Sequence, residues 1–440
     1  MTASRRKFIQ QGALLTAGLG LGSSFPAVFA AGKTRNGFLA DKVRVGAIGI
    51  NGMGWSNLNA MLKANPDTVC TALCDVDANV LSKRAGDIDK NFSMKPVLLD
   101  DYRKLLDDKN VDVVIIGTPD HWHCLMAVDA CAAGKDVYVE KPIANSIHEC
   151  RAMVSAQKQY KRAVQVGQWQ RSHAHFQSAL DLLRTGKLGK IRMVKTWAYQ
   201  GWMKNIPVKP DEPVPAGVNY DRWLGPAQKR PFNPNRFHFN FRWFWDYAGG
   251  LMTDWGVHLV DYALLGMNAK DPLTIMASGG KMAYPDDAAE TPDTLATVYD
   301  FGDFVMLWEH AQAIDGGNYG RNHGIAYIGN NGTLVLDRGG WELIPEGKRM
   351  EPMAAVKKSD DGLANHTRNF IEVVKSRDFS KLNAPIEAGA TVATVCQMGN
   401  IAFRTGKKLS WDKTKQQFND ADANRMIKPT YHNNYSLPKI

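Results

Sequence analysis

At 440 residues, 44% of them hydrophobic and 22% charged, the chain has the apolar content of a globular protein with sizeable cores. At about 150 residues per domain, this length implies two or three domains. The formal net charge of +10 invites a nucleic-acid partner, but the 54 Lys and Arg residues are scattered, with no basic run set into a nucleic-acid-binding motif. A basic protein with an anionic cofactor is the preferred reading, and no nucleic-acid partner is expected.

Ser4-Arg5-Arg6-Lys7-Phe8-Ile9-Gln10 precedes an apolar, Gly- and Ala-rich run at 12–21, and Val28-Phe29-Ala30 offers a small-residue cleavage site. These make residues 1–31 a signal peptide, and the paired arginines before Phe resemble the twin-arginine export signal. An uncleaved membrane anchor is the alternative. The signal implies the twin-arginine export machinery as a partner and a periplasmic location. That route carries folded proteins, so a cofactor would be loaded before export and held tightly. No later run approaches about 18 uninterrupted apolar residues, so the mature form is expected off the membrane. Cys70, Cys74, Cys124, Cys131, Cys150 and Cys396 show neither a CxxC pair nor zinc-ligand spacing, so no metal is expected and no disulfide is specified.

Residues 42–166 read as a nucleotide-binding unit. Val43-Arg44-Val45-Gly46-Ala47-Ile48 is a short strand, Gly49-Ile50-Asn51-Gly52-Met53-Gly54 a glycine loop, and 55–65 a helix. In that context glycines let backbone N–H groups approach a pyrophosphate at a helix N-terminus. The spacing departs from G-x-G-x-x-G: Asn51 takes the second position, where its tolerance of the left-handed conformation is expected to preserve the turn. The next strand, 68–74, ends in Asp75, about 20 residues past the loop, where an acid binds the adenosine ribose and repels a 2′-phosphate. NAD is therefore favoured over NADP. The alternative for Asp75 is a solvated turn residue. An apolar strand at 111–117 opens into Thr118-Pro119-Asp120-His121-Trp122-His123 and a helix through 133. A further strand at 137–139 ends in Glu140-Lys141-Pro142. Alternating strands and helices with polar residues at strand C-termini predict a doubly wound parallel sheet, a Rossmann domain.

The glycine loop, the Thr-Pro-Asp-His-Trp-His turn and above all Glu140-Lys141-Pro142 resemble the glucose–fructose oxidoreductase / inositol dehydrogenase (Gfo/Idh/MocA) family, along essentially the whole mature chain. The resemblance implies Lys141 beside the nicotinamide and the substrate hydroxyl. It also implies that Pro142, often after a cis bond in this family, shapes the site. The candidate cofactor-binding residues are Gly49, Asn51, Gly52, Met53, Gly54, Asp75, Thr118, Pro119, His121, His123, Glu140, Lys141 and Gln168; His121 and His123 read as pocket walls rather than catalysts.

Residues 164–171 read as the last strand of the first domain, and 173–184 as a helix. Recurrent β-rich runs at 191–199, 294–301, 304–310, 324–328 and 332–336 predict an α+β second domain (167–412) with a large, mostly antiparallel open sheet. Two helices, 366–376 and 388–404, follow, and 413–440 reads as an extended tail. The family resemblance implies oligomerisation through this sheet, as a homodimer or homotetramer.

Asp254-Trp255-Gly256-Val257-His258 is the strongest constellation in this half. If it is helical, positions i and i+4 share a face and project a carboxylate and an imidazole together. Histidine suits removal of a hydroxyl proton as hydride leaves carbon, and Asp254 could orient it, raise its basicity or bind a hydroxyl. A structural Asp–His pair capping the helix is the bland alternative. The resemblance implies His258 as acid/base with Lys141. The aromatic stretch from Arg236 to Tyr247 reads equally as a strand with core aromatics and as a sugar-stacking surface. Trp169, Arg171, Trp202, Trp243 and His323 are further substrate-cleft candidates.

These features predict hydride transfer between bound NAD and a hydroxyl or keto group of a sugar, glycoside or polyol. The periplasm lacks a free nicotinamide pool, so the cofactor would be recycled in place. One alternative is an NAD-dependent glycosidase that works by transient C3 oxidation and elimination. Family members of that kind tend to carry a Thr-His-Gly type motif where this chain has Asp254 to His258. The other alternative, of a different class, is a non-catalytic nucleotide- or sugar-binding protein.

Overall fold

The computed structural model describes residues 42–440; the expected export signal lies outside the described residues. The first half alternates strand and helix as β1 (Val43–Ile48), α1 (Met53–Ala64), β2 (Thr68–Cys74), α2 (Ala78–Phe92), β3 (Val97–Leu99), α3 (Tyr102–Asp107), β4 (Val113–Ile116), α4 (Asp120–Ala132), β5 (Asp136–Val139), α5 (Ile147–Tyr160) and β6 (Val164–Val166). The strands lie in the order β3-β2-β1-β4-β5-β6, all parallel. The four residues of β4 are all buried, as a strand covered on both faces requires. The order reverses between β1 and β4, which opens a crevice at their C-terminal ends.

The second half begins with α6 (Ala174–Arg184), β7 (Ile191–Gln200), α7 (Tyr220–Leu224), α8 (Gly250–Asp254) and α9 (Gly256–Met267). It continues through β8 (Thr274–Gly280), β9 (Thr294–Asp300), β10 (Val305–Gln312), β11 (His323–Gly329), β12 (Gly332–Asp337), β13 (Gly340–Pro345) and β14 (Val356–Lys357). Then come α10 (Gly362–Ser376), α11 (Ile386–Thr405), β15 (Leu409–Asp412), β16 (Gln417–Phe418) and α12 (Ala421–Arg425). The ten strands form one sheet in the order β14-β13-β12-β11-β7-β10-β9-β8-β15-β16, antiparallel except for the parallel pair β7–β10. Helices α6, α9 and α11 cover one face, where Phe176, Tyr262 and Cys396 pack on Tyr299, Trp308 and Tyr327.

Chain order and packing diverge in two places. Helix α10 lies in the stretch assigned to the second domain, yet Phe370, Ile371, Val373 and Val374 join the core of the first sheet beside Val45 and Tyr138. The last residues, 428–440, carry no helix or strand and pack against the rest of the protein. The Tyr431 hydroxyl donates to Glu149 Oε1 at 2.5 Å, Asn433 Nδ2 donates to the carbonyls of Gly225 and Ala227, and the Tyr435 ring meets Trp122 edge-on. All six cysteines are buried and free, and no described helix is long and apolar enough to cross a membrane.

Candidate active site

The glycine loop is built by close backbone approach. A Cβ on Gly54 would stand 2.0 Å from the Gly49 carbonyl oxygen, and one on Gly117 would stand 2.4 Å from Gly54 Cα. Only hydrogen fits at these positions, so loop, helix α1 and the end of β4 close into one cradle. Gly49 carries the left-handed turn, with φ +74°, whereas Asn51 is not among the residues with positive φ. The irregular spacing is harmless because the left-handed residue is the first glycine, not the one Asn replaces. Gly52 caps α1 without a side-chain hydrogen bond, which leaves the first-turn amides to a ligand. Asp75, at the end of β2, accepts from the Ile50 amide at 2.9 Å and the Asp77 amide at 3.1 Å, fixing the loop to the strand. Burial raises its pKa above the ordinary carboxylate value.

These groups open onto a cavity of about 430 Å³. Gly49, Asn51, Gly52, Met53, Asp75, Thr118, Pro119, His123, Glu140, Lys141 and Asp254 all line it. Glu140 is buried, accepting from Asn57 Nδ2 at 2.8 Å and from the Lys141 amide at 3.1 Å. The Lys141–Pro142 peptide is cis. His123 Nδ1 lies 2.6 Å from the Pro142 carbonyl and its Nε2 lies 2.8 Å from that of Thr118, so one imidazole ties together the two strand-end turns.

In the lining of the cavity the Lys141 ammonium donates to Asp254 Oδ1 and to the Asp254 carbonyl, each at 2.9 Å, and Arg242 Nε donates to the same Oδ1 at 3.2 Å. Burial alone would push the Asp254 carboxyl up, but these two cations outweigh it and hold the group well below the usual carboxylate range. The expected continuous helix is broken here. Helix α8 ends at Asp254 and α9 starts at Gly256; the His258 amide donates to the Trp255 carbonyl at 3.0 Å, not to that of Asp254. The freed Asp254 carbonyl is the one Lys141 takes. No Asp254–His258 hydrogen bond forms, and the Asp254 carboxylate pairs with Lys141 and Arg242 instead. His258 is 5% exposed with an unpartnered Nδ1, and burial followed by Lys141, Arg338 and His323 holds it neutral.

Residues 43–168 match the family model described as oxidoreductase family, NAD-binding Rossmann fold, and residues 190–437 match the one described as oxidoreductase family, C-terminal alpha/beta domain. The chain belongs to the Gfo/Idh/MocA oxidoreductase family. Its first domain is an NAD-binding domain, and the glycine cradle and free amides fit that nucleotide. An alpha-N-acetylgalactosaminidase of Shewanella oneidensis is 29% identical over 203 residues, 42% of this chain and 44% of that protein. The matched region thus spans less than half the length of this curated relative. Among solved structures, the WlbA dehydrogenase of Bordetella pertussis in complex with NADH and UDP-GlcNAcA superposes with a TM-score of 0.61 at 18% identity, over 84% of this chain and 99% of that one. Levoglucosan dehydrogenase in complex with NADH and levoglucosan gives 0.63 at 17% identity, again over 84% and 99%. At these identities the likeness is one of fold.

Several sequence candidates of this family member lie away from the cavity. Gly54 stands behind its wall. His121 turns its Nε2 to the Trp223 carbonyl at 3.1 Å within a cluster of Trp122, Trp223 and Tyr247, and burial draws its pKa down to about 4. Gln168 is buried with Nε2 toward the Val257 carbonyl and its Oε1 unpartnered. Arg171 is committed to Asp261 through two bonds of 2.7 and 2.6 Å, which leaves its guanidinium little to offer a sugar. Trp243 is buried and Trp202 exposed, both beside a separate cavity of about 260 Å³. Trp169, His258 and His323 form a further group with Trp255. The stretch from Arg236 to Tyr247 is no strand: two 3-10 turns carry it. Phe237, Phe241, Trp243, Phe244 and Tyr247 are core, while Phe239 is exposed under the Arg242 guanidinium.

Sequence reasoning left Arg242, Asp120, His238, Arg103 and Tyr435 unassigned, and all of them line the cavity. His238 lies 3.1 Å from both Asn51 Nδ2 and Asp77 Oδ2, joining the glycine loop to the second domain. Burial pushes the Asp120 carboxyl up to about 8, against the pull of Arg242. His173, His175 and Asp360 also stand within reach of one another, with ligand atoms inside 4.8 Å. That grouping follows from a 2.8 Å His173–Asp360 hydrogen bond and from Asp360 capping the first amide of α6.

Proposed function

We propose that this protein moves hydride between tightly held NAD and a hydroxyl or keto carbon of a sugar, glycoside or polyol. The observation that carries the reading is the convergence of Lys141, Asp254 and Arg242 in the lining of the nucleotide cavity, with His258 buried outside that lining and held neutral by burial and by the Lys141 charge. NAD, when bound, supplies the hydride acceptor. In this reading the Lys141 ammonium, itself fixed by Asp254, stabilises the substrate oxygen as it gains charge, and the neutral His258 imidazole takes up the hydroxyl proton. Asp75 favours NAD over NADP, because a 2′-phosphate would face a carboxylate already committed to two backbone amides. The basic start of the chain supports export with the nucleotide already bound.

The test is optical. The purified protein is followed in the nicotinamide absorption band while neutral and acidic sugars are added one at a time. A sugar-dependent change supports hydride transfer; silence with every sugar sinks it in favour of simple binding. The likeness to an alpha-N-acetylgalactosaminidase favours one second reading, redox-assisted glycoside cleavage. Release of nitrophenol from nitrophenyl glycosides, without net oxidation of the sugar, would select it.

A further inference from the structure

Arg338, in the turn between β12 and β13, is an arginine without a carboxylate. Its guanidinium lies 4.8 Å from the Trp169 ring and 4.6 Å from the Trp255 ring. Two indoles pack against the guanidinium, which leaves its N–H donors only the directions that the rings do not occupy. One edge donor reaches Gln170 Oε1 at 3.3 Å; Nε is buried and unpartnered. The neighbouring carboxylate, Asp337, is taken by Arg321 at 2.9 Å. Arg44, Arg171 and Arg242 are matched with Asp112, Asp261 and Asp254, whereas Arg151 and Arg404 share with Arg338 the lack of an ion-paired carboxylate. Burial draws the Arg338 pKa down to about 10, the mark of a cation short of an anion.

Two more vacant nitrogens stand in this group. His258 Nδ1 and His323 Nε2 are both buried without partners, and their rings pack on Trp255. The two indoles that meet Arg338 also pack on His258, at 6.3 and 6.4 Å between ring centroids, which places the guanidinium in the same side-chain group as that imidazole. Neither Arg338, Trp169, Trp255 nor His323 lines the nucleotide cavity, so the cofactor's phosphates do not account for the charge.

We propose that Arg338 is a specificity residue for a sugar acid. The substrate's carboxylate takes the free edge of the guanidinium, an indole flanks the ring, and the reacting hydroxyl lies toward Lys141 and His258. A single planar fork suits a carboxylate, which it can meet with two parallel hydrogen bonds. This inference rests on the hydride-transfer reading only for its kinetic arm.

The experiment compares glucuronate and galacturonate with glucose, galactose, the uronate methyl esters and glucose 6-phosphate, on wild type, Arg338→Gln and Arg338→Lys. Wild type is expected to prefer a uronate over its neutral sugar and its ester by about 100-fold in kcat/KM. Arg338→Gln should abolish that preference mainly through KM, cost neutral sugars far less than it costs uronates, and be partly rescued by Arg338→Lys. Equal use of acids and neutral sugars by wild type overturns the inference, as does equal loss on both in Arg338→Gln, while preference for the phosphate overturns the choice of carboxylate. If no sugar alters the cofactor spectrum, the hydride-transfer reading fails on its own. Calorimetric titration with the uronates then decides: binding by wild type that Arg338→Gln lacks supports the site, and no binding by wild type refutes it. Should Arg338→Gln misfold, the preference of wild type across the same sugars decides alone.

Discussion

Replacing Lys141 with Met shortens the side chain by its terminal nitrogen and deletes its charge. The ammonium stands 2.9 Å from Asp254 Oδ1; at an effective dielectric of about 20, two unit charges so placed attract by about 6 kcal/mol. Much of that is offset by desolvation, and removing one partner of a buried pair typically costs about 3–5 kcal/mol. Here Arg242 remains 3.2 Å from the same oxygen and keeps the carboxylate partly paired. The expected loss is therefore near the low end, about 3 kcal/mol, read as a drop of several degrees in melting temperature. Turnover should fall by about 1,000-fold, the scale of a lost donor to the developing oxyanion. Bound NAD should stay, because the glycine cradle and Asp75 are untouched. The assay measures nucleotide released on denaturation beside the sugar-driven absorbance change. Turnover within about tenfold of wild type refutes the assignment of Lys141. A companion variant, Lys141→Met with Asp254→Asn, should cost less than the two single changes added together, because Lys141 and Asp254 share one ion pair, even though Arg242 then loses its carboxylate. Strict additivity would mean that the pair does not couple.

Gly54→Ala should abolish nucleotide retention and destabilise the fold by about 2 kcal/mol or more, because the new methyl meets backbone 2.0 Å away and neither strand nor helix can yield; normal retention would show that the cradle yields more than these contacts imply. The folded pKa of Asp120 is raised to about 8, so the folded protein keeps a proton that the unfolded chain releases at the ordinary carboxylate value. Stability of the nucleotide-free protein should therefore fall as pH rises from about 4 to about 8 and level off above. Asp120→Asn should flatten that slope in melts across the window, and an unchanged slope counts against it. Deleting residues 431–440 removes the Tyr431–Glu149 bond and the Tyr435 wall of the cavity. NAD exchange, followed by competition with a labelled nucleotide, should speed up about tenfold, the equivalent of one buried aromatic contact; unchanged exchange would show that the tail is no clasp.

The fold class and the nucleotide cleft are legible in the chain because their signals are local. A short apolar strand, a glycine loop and a helix follow one another in β1, the loop and α1, and parallel strands buried on both faces leave continuous apolar runs. Asp75 and Lys141 are found the same way, since each sits just past the C-terminal end of its strand, where a doubly wound sheet puts its chemistry. Strands β8 and β13 to β16 are harder to see, being short or marked by little periodicity, and their pairing depends on partners distant in sequence.

What the tertiary structure alone decides is which charge meets which. Local spacing joins Asp254 to His258 on one helical face. The chain instead breaks its helix at Trp255, because the Asp254 carbonyl and carboxylate both have a better partner in Lys141, 113 residues away. Arg171 looks like a substrate ligand until Asp261, 90 residues on, is found holding it. Arg338 carries no motif at all; two tryptophans from other elements cover it, and the carboxylate beside it is turned toward Arg321. Sequence spacing records the backbone's short-range geometry, whereas the pairing of buried charges is settled by three-dimensional proximity in a medium that penalises any charge left alone.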